Sequence, residues 1–204
     1  MLLGKEKVPF LHLPTPLEYL PGVSQDLGVE FYIKRDDLTN LGVGGNKLRK
    51  LEYLLKDAQD QGATMLLTLG GAQTNHGRLT AAVAAKYGMK CAIVCVDDYP
   101  GELSANLLLD RLMGAEVILK HDDGRPESVQ FQEVADEVAA RYEAQGEKVY
   151  RIPVGGSNAE GILGYYECAM EITQQAKEMG LEDATIYSGV EYFSKNWDVL
   201  NLKA

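Results

Sequence analysis

TMLLTLGGAQTNHGRLTAAVAAKYGMKCAIVCV, residues 64–96, contains two apolar runs separated by a stretch of a different period. TMLLTL (64–69) is aliphatic or β-branched throughout and stops at Gly70-Gly71. Residues of about 75–87 carry small and apolar side chains at helical spacing, and Gly88 falls where a left-handed cap is wanted. CAIVCV (91–96) then resumes the first pattern. Strand, helix and strand in so short a span make a right-handed crossover between parallel strands. Continuous apolar strands, rather than alternating ones, belong to a sheet covered on both faces.

The same alternation extends in both directions. FYIK (31–34), EVILK (116–120), VYRI (149–152) and ATIYS (184–188) read as further strands, and about 46–61, 104–113, 128–145 and 159–179 as helices. In the first helix Leu48, Leu51, Leu55 and Ala58 share a face, while Arg49, Glu52, Lys56 and Asp57 stay wet. An α/β fold of open parallel sheets with helices on both faces follows. ATIYS is expected as a last parallel strand, because GVEYFSKNWDVLNLKA (189–204) offers neither an amphipathic helix nor a strand of the same type. An uncovered edge of that kind suggests an incomplete α/β protein.

Of the 204 residues 46% are apolar, which suits a globular chain. The formal charge of −10 argues against sequence-independent nucleic-acid binding, which needs a basic face. Small anions remain possible ligands, since local cations and backbone amides hold them. Cys91, Cys95 and Cys168 give no disulfide framework and suggest a reducing compartment. With His12, His76 and His121 scattered, no metal-ligand pattern emerges. The N-terminal MLLGKEKVPFLHLP lacks a signal-peptide core and no run reaches membrane-spanning length, so a cytoplasmic protein is expected.

Three glycine-rich loops could carry chemistry: GVGGNK (42–47), LGGAQTNHGR (69–78) and PVGGSN (153–158). Ligands of open α/β sheets collect at strand carboxyl ends against helix N-termini. Asn46, Asn75 and Asn158 also suit plain helix caps. Leu48 follows Asn46-Lys47 where a P-loop needs Ser or Thr, and G-x-G-x-x-G is absent. Both common phosphate motifs therefore fail. Lys47, beside a helix N-terminus and two further cations, Arg49 and Lys50, should have its pKa lowered. Such an amine can condense with a carbonyl cofactor, and Arg49 and Lys50 would partner a phosphate on it; the alternative is a solvated basic turn. In AQTNHG, free amides would receive a substrate carboxylate, Thr74 offers a hydroxyl and Asn75 a donor to a phenolate. A capped turn is the plainer account.

PTPLEYLP (14–21), YIKRDDLT (32–39), GGNKLRKLEYL (44–54), GAQTNHGRLTAAVAAKYG (71–88) and IPVGGSNAEGILGY (152–165) together resemble one family. It is the D-cysteine desulfhydrase and 1-aminocyclopropane-1-carboxylate deaminase family of pyridoxal-phosphate enzymes, with a tryptophan-synthase-β-like (type II) fold. The resemblance runs from about residue 10 to 189, in order and at the family's spacing. It implies Lys47 as the Schiff-base lysine, Lys50 near the cofactor phosphate, Thr74 in place of a catalytic serine and Asn75 on the cofactor's ring oxygen. Substrate would meet Thr74, Asn75, His76 and Gly77. His76, PTPLEYLP and IPVGGSN lean toward the desulfhydrases; the deaminases tend to carry Gln at the histidine's position.

The reaction so implied is β-elimination from D-cysteine, giving pyruvate, hydrogen sulfide and ammonia, with proton handling by Lys47 or Thr74. Aminocyclopropane-carboxylate deamination and a non-catalytic α/β remnant are the alternatives. Residues 1–52 and 157–189 would form part of a large cofactor-binding domain, 53–156 a small α/β domain, and 190–204 a divergent tail. Ser188-Gly189 begins the family's phosphate-cupping loop, then Val190-Glu191-Tyr192 departs from it. A C-terminally truncated member that binds its cofactor poorly is expected. Complete relatives resemble homodimers.

Overall fold

The computed structural model describes residues 4–98, 102–181, 183–188 and 198–201. It divides into two compact units, Met1–Leu13 with Asp36–Tyr165, and Pro14–Arg35 with Tyr166–Ala204. These bounds differ from the division at 52 and 157 expected above.

The first unit is built on four parallel strands, β3 (Met65–Gly70), β4 (Lys90–Val96), β5 (Glu116–Lys120) and β6 (Val149–Ile152), in the order β5-β4-β3-β6. Helices α2 (Leu48–Asp60), α3 (Asn75–Lys86), α4 (Ala105–Leu112) and α5 (Glu127–Glu143) accompany them. Because successive strand residues face opposite ways, the two apolar runs feed two separate cores. Leu66, Cys91, Ile93 and Cys95 pack with Leu51, Leu55, Leu79, Val83 and Leu107 of α2, α3 and α4. Met65, Leu67, Ala92, Val94 and Val96 pack with Phe131, Ala135, Val138 and Ala139 of α5. The expected sandwich of helices about a parallel sheet is therefore what these residues form.

From β3 the chain steps outward through β4 and β5, then returns by α5 to place β6 on the other side of β3. The order reverses between β3 and β6, which opens a crevice at their carboxyl ends. Two of the three glycine loops lie there.

FYIK does not join this sheet. Tyr32–Lys34 (β2) pairs antiparallel with Leu17–Tyr19 (β1), flanking the short helix α1 (Pro21–Leu27), in the second unit. Three-residue strands carry too little pattern to reveal their partner from sequence. Lys34 Nζ donates to Thr15 O at 2.6 Å and pairs with Glu171 of α6 (Ile162–Glu178) at 2.5 Å. ATIYS is likewise not a lone parallel edge: β7 (Thr185–Ser188) pairs antiparallel with β8 (Asp198–Asn201), so tail backbone satisfies the amides that would otherwise be unpaired. No helix among the described residues is long and apolar enough to cross a membrane.

Candidate active site

The loop before α2 is conformationally costly. Gly42, Val43, Gly44 and Gly45 all have positive φ, at 58°, 68°, 76° and 145°. A β-branched residue in the left-handed region is strained, and Val43 stands 80% exposed, so burial of its side chain offsets little of that. Gly44 cannot be replaced cheaply, since an added Cβ would lie 2.0 Å from Asp37 O. Thr39 braces the loop, its Oγ1 accepting from Gly45 N at 2.8 Å while donating to Asp36 O at 2.9 Å. The Arg78 guanidinium of α3 donates to Gly42 O and, at 3.1 Å, to Gly44 O.

This loop delivers Lys47 to the N-cap position of α2, in helical backbone and with no side-chain cap. Lys47 is half-buried, and a Cβ built on Gly155 would lie 3.9 Å from its Cε. Lys50, one turn on, donates to Gly155 O and Ser157 Oγ, both at 3.0 Å, and its ammonium lies 5.4 Å from the Tyr165 ring centre. Burial, and then the Lys47 charge, pull the Lys50 pKa down to about 8. Among the described residues, no carboxylate pairs with either lysine.

Arg49 departs from its expected place. It is 1% exposed and faces away from the lysines, its Nε and Nη2 gripping the two carboxylate oxygens of Asp36 at 2.7 and 2.8 Å. The helical rotation of 100° per residue separates it from Lys50, so a buried ion pair, not a cofactor phosphate, takes its charge.

Opposite stand the residues of the β3–α3 turn. Thr74 caps α3, its hydroxyl accepting from Gly77 N at 3.3 Å. Asn75 is therefore not the cap, and Asn46 is not one either, since its amide donates to the Tyr165 hydroxyl. Asn158 accepts from Gly161 N at 2.8 Å, which closes the turn leading into the helix that starts at Ile162 rather than capping it. The Asn75 Oδ1 accepts from Arg78 at 3.3 Å and from Asn106 Nδ2 at 3.1 Å. Because guanidinium can only donate, that orientation of the amide is fixed, and Nδ2 has no partner among the described residues. Gly77 is buried, and a Cβ there would meet the Thr74 methyl at 2.5 Å, so its role includes close packing.

His76 is 2% exposed, and neither ring nitrogen has a partner among the described residues. A Cβ on Gly156 would lie 3.2 Å from its Cε1. Burial first, then Lys47 and Lys50, depress its pKa to about 3, which keeps the imidazole neutral. The three glycine loops thus meet around Lys47, Lys50 and His76. Ser188 lies on β7 in the other unit, and Gly189 lies outside the described residues. No group of three or more metal-ligating side chains is found among the described residues.

Sequence reading missed Arg78 and Asp110. Asp110 of α4 is buried with Oδ1 unpartnered; burial raises its pKa to about 7 against the pull of Arg78. Cys91 and Cys95 are pushed up to about 12 by burial and then by Asp110, so both are inert thiols. A raised carboxyl keeps its proton in the fold where the unfolded chain would release it. Stability is therefore undiminished below about pH 4, falls as pH rises toward 7, and stays lower above. Asp110→Asn is accordingly expected to melt higher than the parent at pH 8, by a few degrees, with the gap closing at pH 4. A gap unchanged between those two melts would refute the assignment.

A strained glycine loop presents an unpaired amine beside a second, partly discharged amine, a free amide donor and an orphaned neutral imidazole. Those groups fit a carbonyl compound with an anionic arm. The profile of the family described as "Pyridoxal-phosphate dependent enzyme" matches residues 8–189. The chain belongs to that family.

Among curated members of the pyridoxal-phosphate dependent enzymes, D-cysteine desulfhydrase of Klebsiella pneumoniae is 49% identical over 184 residues, covering 87% of this chain and 52% of the relative. A putative 1-aminocyclopropane-1-carboxylate deaminase of Pyrococcus abyssi is 42% identical over 176 residues, covering 86% and 52%. The crystal structure of an ACC deaminase homologue superposes with TM-score 0.76 at 41% identity, covering 84% of this chain and 51% of that one. The chain spans about half the length of the curated relatives it matches. A pyridoxal-phosphate-dependent aspartate racemase, TM-score 0.63 at 21% identity, shares the fold.

Proposed function

We propose that this chain serves a pyridoxal-phosphate-dependent lyase acting on D-cysteine, releasing hydrogen sulfide by β-elimination, after which one water hydrolyses the released enamine to pyruvate and ammonia. The observation that carries the reading is the half-buried Lys47 amine, presented by the strained 42–45 backbone and free of any carboxylate among the described residues. Bound there, pyridoxal phosphate supplies the electron sink for a carbanion left by loss of the substrate's α-proton.

Lys47 Nζ would hold the cofactor covalently. Asn75 Nδ2 would donate to its ring oxygen, since Oδ1 is already taken by Arg78 and Asn106. Lys50 would face its phosphate, with a dianion restoring the cationic form that burial disfavours. Amides at the first turn of α3, from Asn75 to Gly77, would receive an amino acid's carboxylate. The α-proton would move to Lys47 Nζ once substrate has displaced that amine from the cofactor, or to Thr74 Oγ1 if the hydroxyl first passes its own proton to Lys47 Nζ; the Thr74 hydroxyl can donate while it accepts from Gly77 N. His76, neutral and unpartnered, would line the substrate's side of the site without taking a proton.

A second reading, aminocyclopropane-carboxylate deamination, draws support from the Pyrococcus abyssi relative and the homologue of TM-score 0.76. Incubating the chain with pyridoxal phosphate and each substrate separates the two. Sulfide and pyruvate from D-cysteine support the first reading; ammonia from the cyclopropane amino acid without sulfide from D-cysteine supports the second. No product from either, with no retained cofactor, identifies a non-catalytic remnant.

A further inference from the structure

We infer that Arg78 is a positioning residue that holds the lysine-bearing loop in its strained shape and registers it against the start of α3. The inference rests on the reading of Lys47 as the cofactor-capturing amine. One guanidinium, 7% exposed, reaches three acceptors on two elements. It donates to the carbonyls of Gly42 and Gly44, more than thirty residues away in the chain, and to Asn75 Oδ1 at 3.3 Å.

Two of those acceptors belong to consecutive left-handed turns of a loop whose Val43 also adopts positive φ. Such backbone persists only where its surroundings over-determine it. Thr39 supplies one brace, at Gly45, and Arg78 supplies the other, at Gly42 and Gly44. The third acceptor turns the Asn75 amide so that its NH2 is the end left for a ligand. Packing adds a second constraint, because Gly42 sits where a Cβ would be 2.6 Å from Ala82 Cβ, and Gly45 where one would be 2.8 Å from Leu79 Cδ1. The loop therefore lies directly on α3, and the fork of Arg78 sets how far along that helix it sits. Lys47, two residues past Gly45, moves with it. A lysine at position 78 would keep the charge but lacks the rigid planar fork that spans both loop carbonyls and Asn75 at once.

The test compares the full chain with Arg78→Met and Arg78→Lys by amide hydrogen exchange and by the acetylation rate of individual lysines, both mapped by peptide mass. Neither readout needs the cofactor. In Arg78→Met, exchange across 41–47 is expected to rise tenfold or more while β3 and β4 stay protected, and Lys47 should acetylate several-fold faster with surface lysines unchanged. Arg78→Lys should recover part of both effects. Borohydride-trapped phosphopyridoxyl at position 47 should fall about tenfold in Arg78→Met. Unchanged exchange at 41–47, or a uniform loosening of loop and sheet together, overturns the inference. If Arg78→Met fails to fold, Arg78→Lys decides alone: intermediate loop protection supports the clamp and parental protection overturns it. Should the parent itself trap no cofactor, the lyase reading fails, while the exchange comparison still decides the clamp.

Discussion

Arg49→Leu is expected to lower stability by about 3–5 kcal/mol, because it removes the bidentate cation from a buried carboxylate, that of Asp36. Arg49 is 1% and Asp36 8% exposed, and the pair is bidentate at 2.7 and 2.8 Å. For a chain of this size that amounts to a drop in Tm of roughly 10 °C. The double variant Asp36→Leu/Arg49→Leu should regain most of the loss, since replacing both members of a buried pair with apolar groups is often nearly neutral. Thermal melts of the two variants give the comparison. A single variant that melts like the parent but loses affinity for pyridoxal phosphate would return Arg49 to the phosphate-binding role expected from sequence.

Lys47→Ala should do the opposite, removing cofactor capture to background while leaving the melt within about 0.5 kcal/mol of the parent. Among the described residues the Lys47 ammonium makes no hydrogen bond or ion pair, so the fold does not depend on it. Lys50 is the harder control. Burial pulls its pKa down to about 8, which makes it a competing nucleophile, yet its Nζ is tied to Gly155 O and Ser157 Oγ. Lys50→Ala is therefore expected to weaken cofactor binding while leaving covalent capture at position 47 measurable. Loss of the covalent adduct in Lys50→Ala alone, with Lys47→Ala still labelled, would exchange the two roles.

The features legible in sequence were those set by local periodicity. Residues 65–70 and 90–96 alternate between two cores, and the helices between them close at glycines, so the parallel sheet could be read without knowing any long-range contact. What depended on distant partners could not. Nothing in YIK shows that it pairs with LEY, or that TIYS takes an antiparallel neighbour from the tail. Three cations in GGNKLRK look alike on paper, but helical rotation carries Arg49 to Asp36 and leaves Lys47 and Lys50 facing the 153–158 loop. The capping residue of α3 proved to be Thr74, with Asn75 drawn off by Arg78. Arg78 itself reads as one more polar residue in a helix until its acceptors at 42 and 44 are seen.

The central claim is that the amine at position 47, and no other, captures a carbonyl cofactor. Reducing the full chain with borohydride in the presence of pyridoxal phosphate, then mapping the adduct by peptide mass, tests it most directly. The account predicts phosphopyridoxyl on Lys47 as the dominant adduct, lost in Lys47→Ala. Label scattered over surface lysines, or none on the peptide carrying position 47, would contradict it.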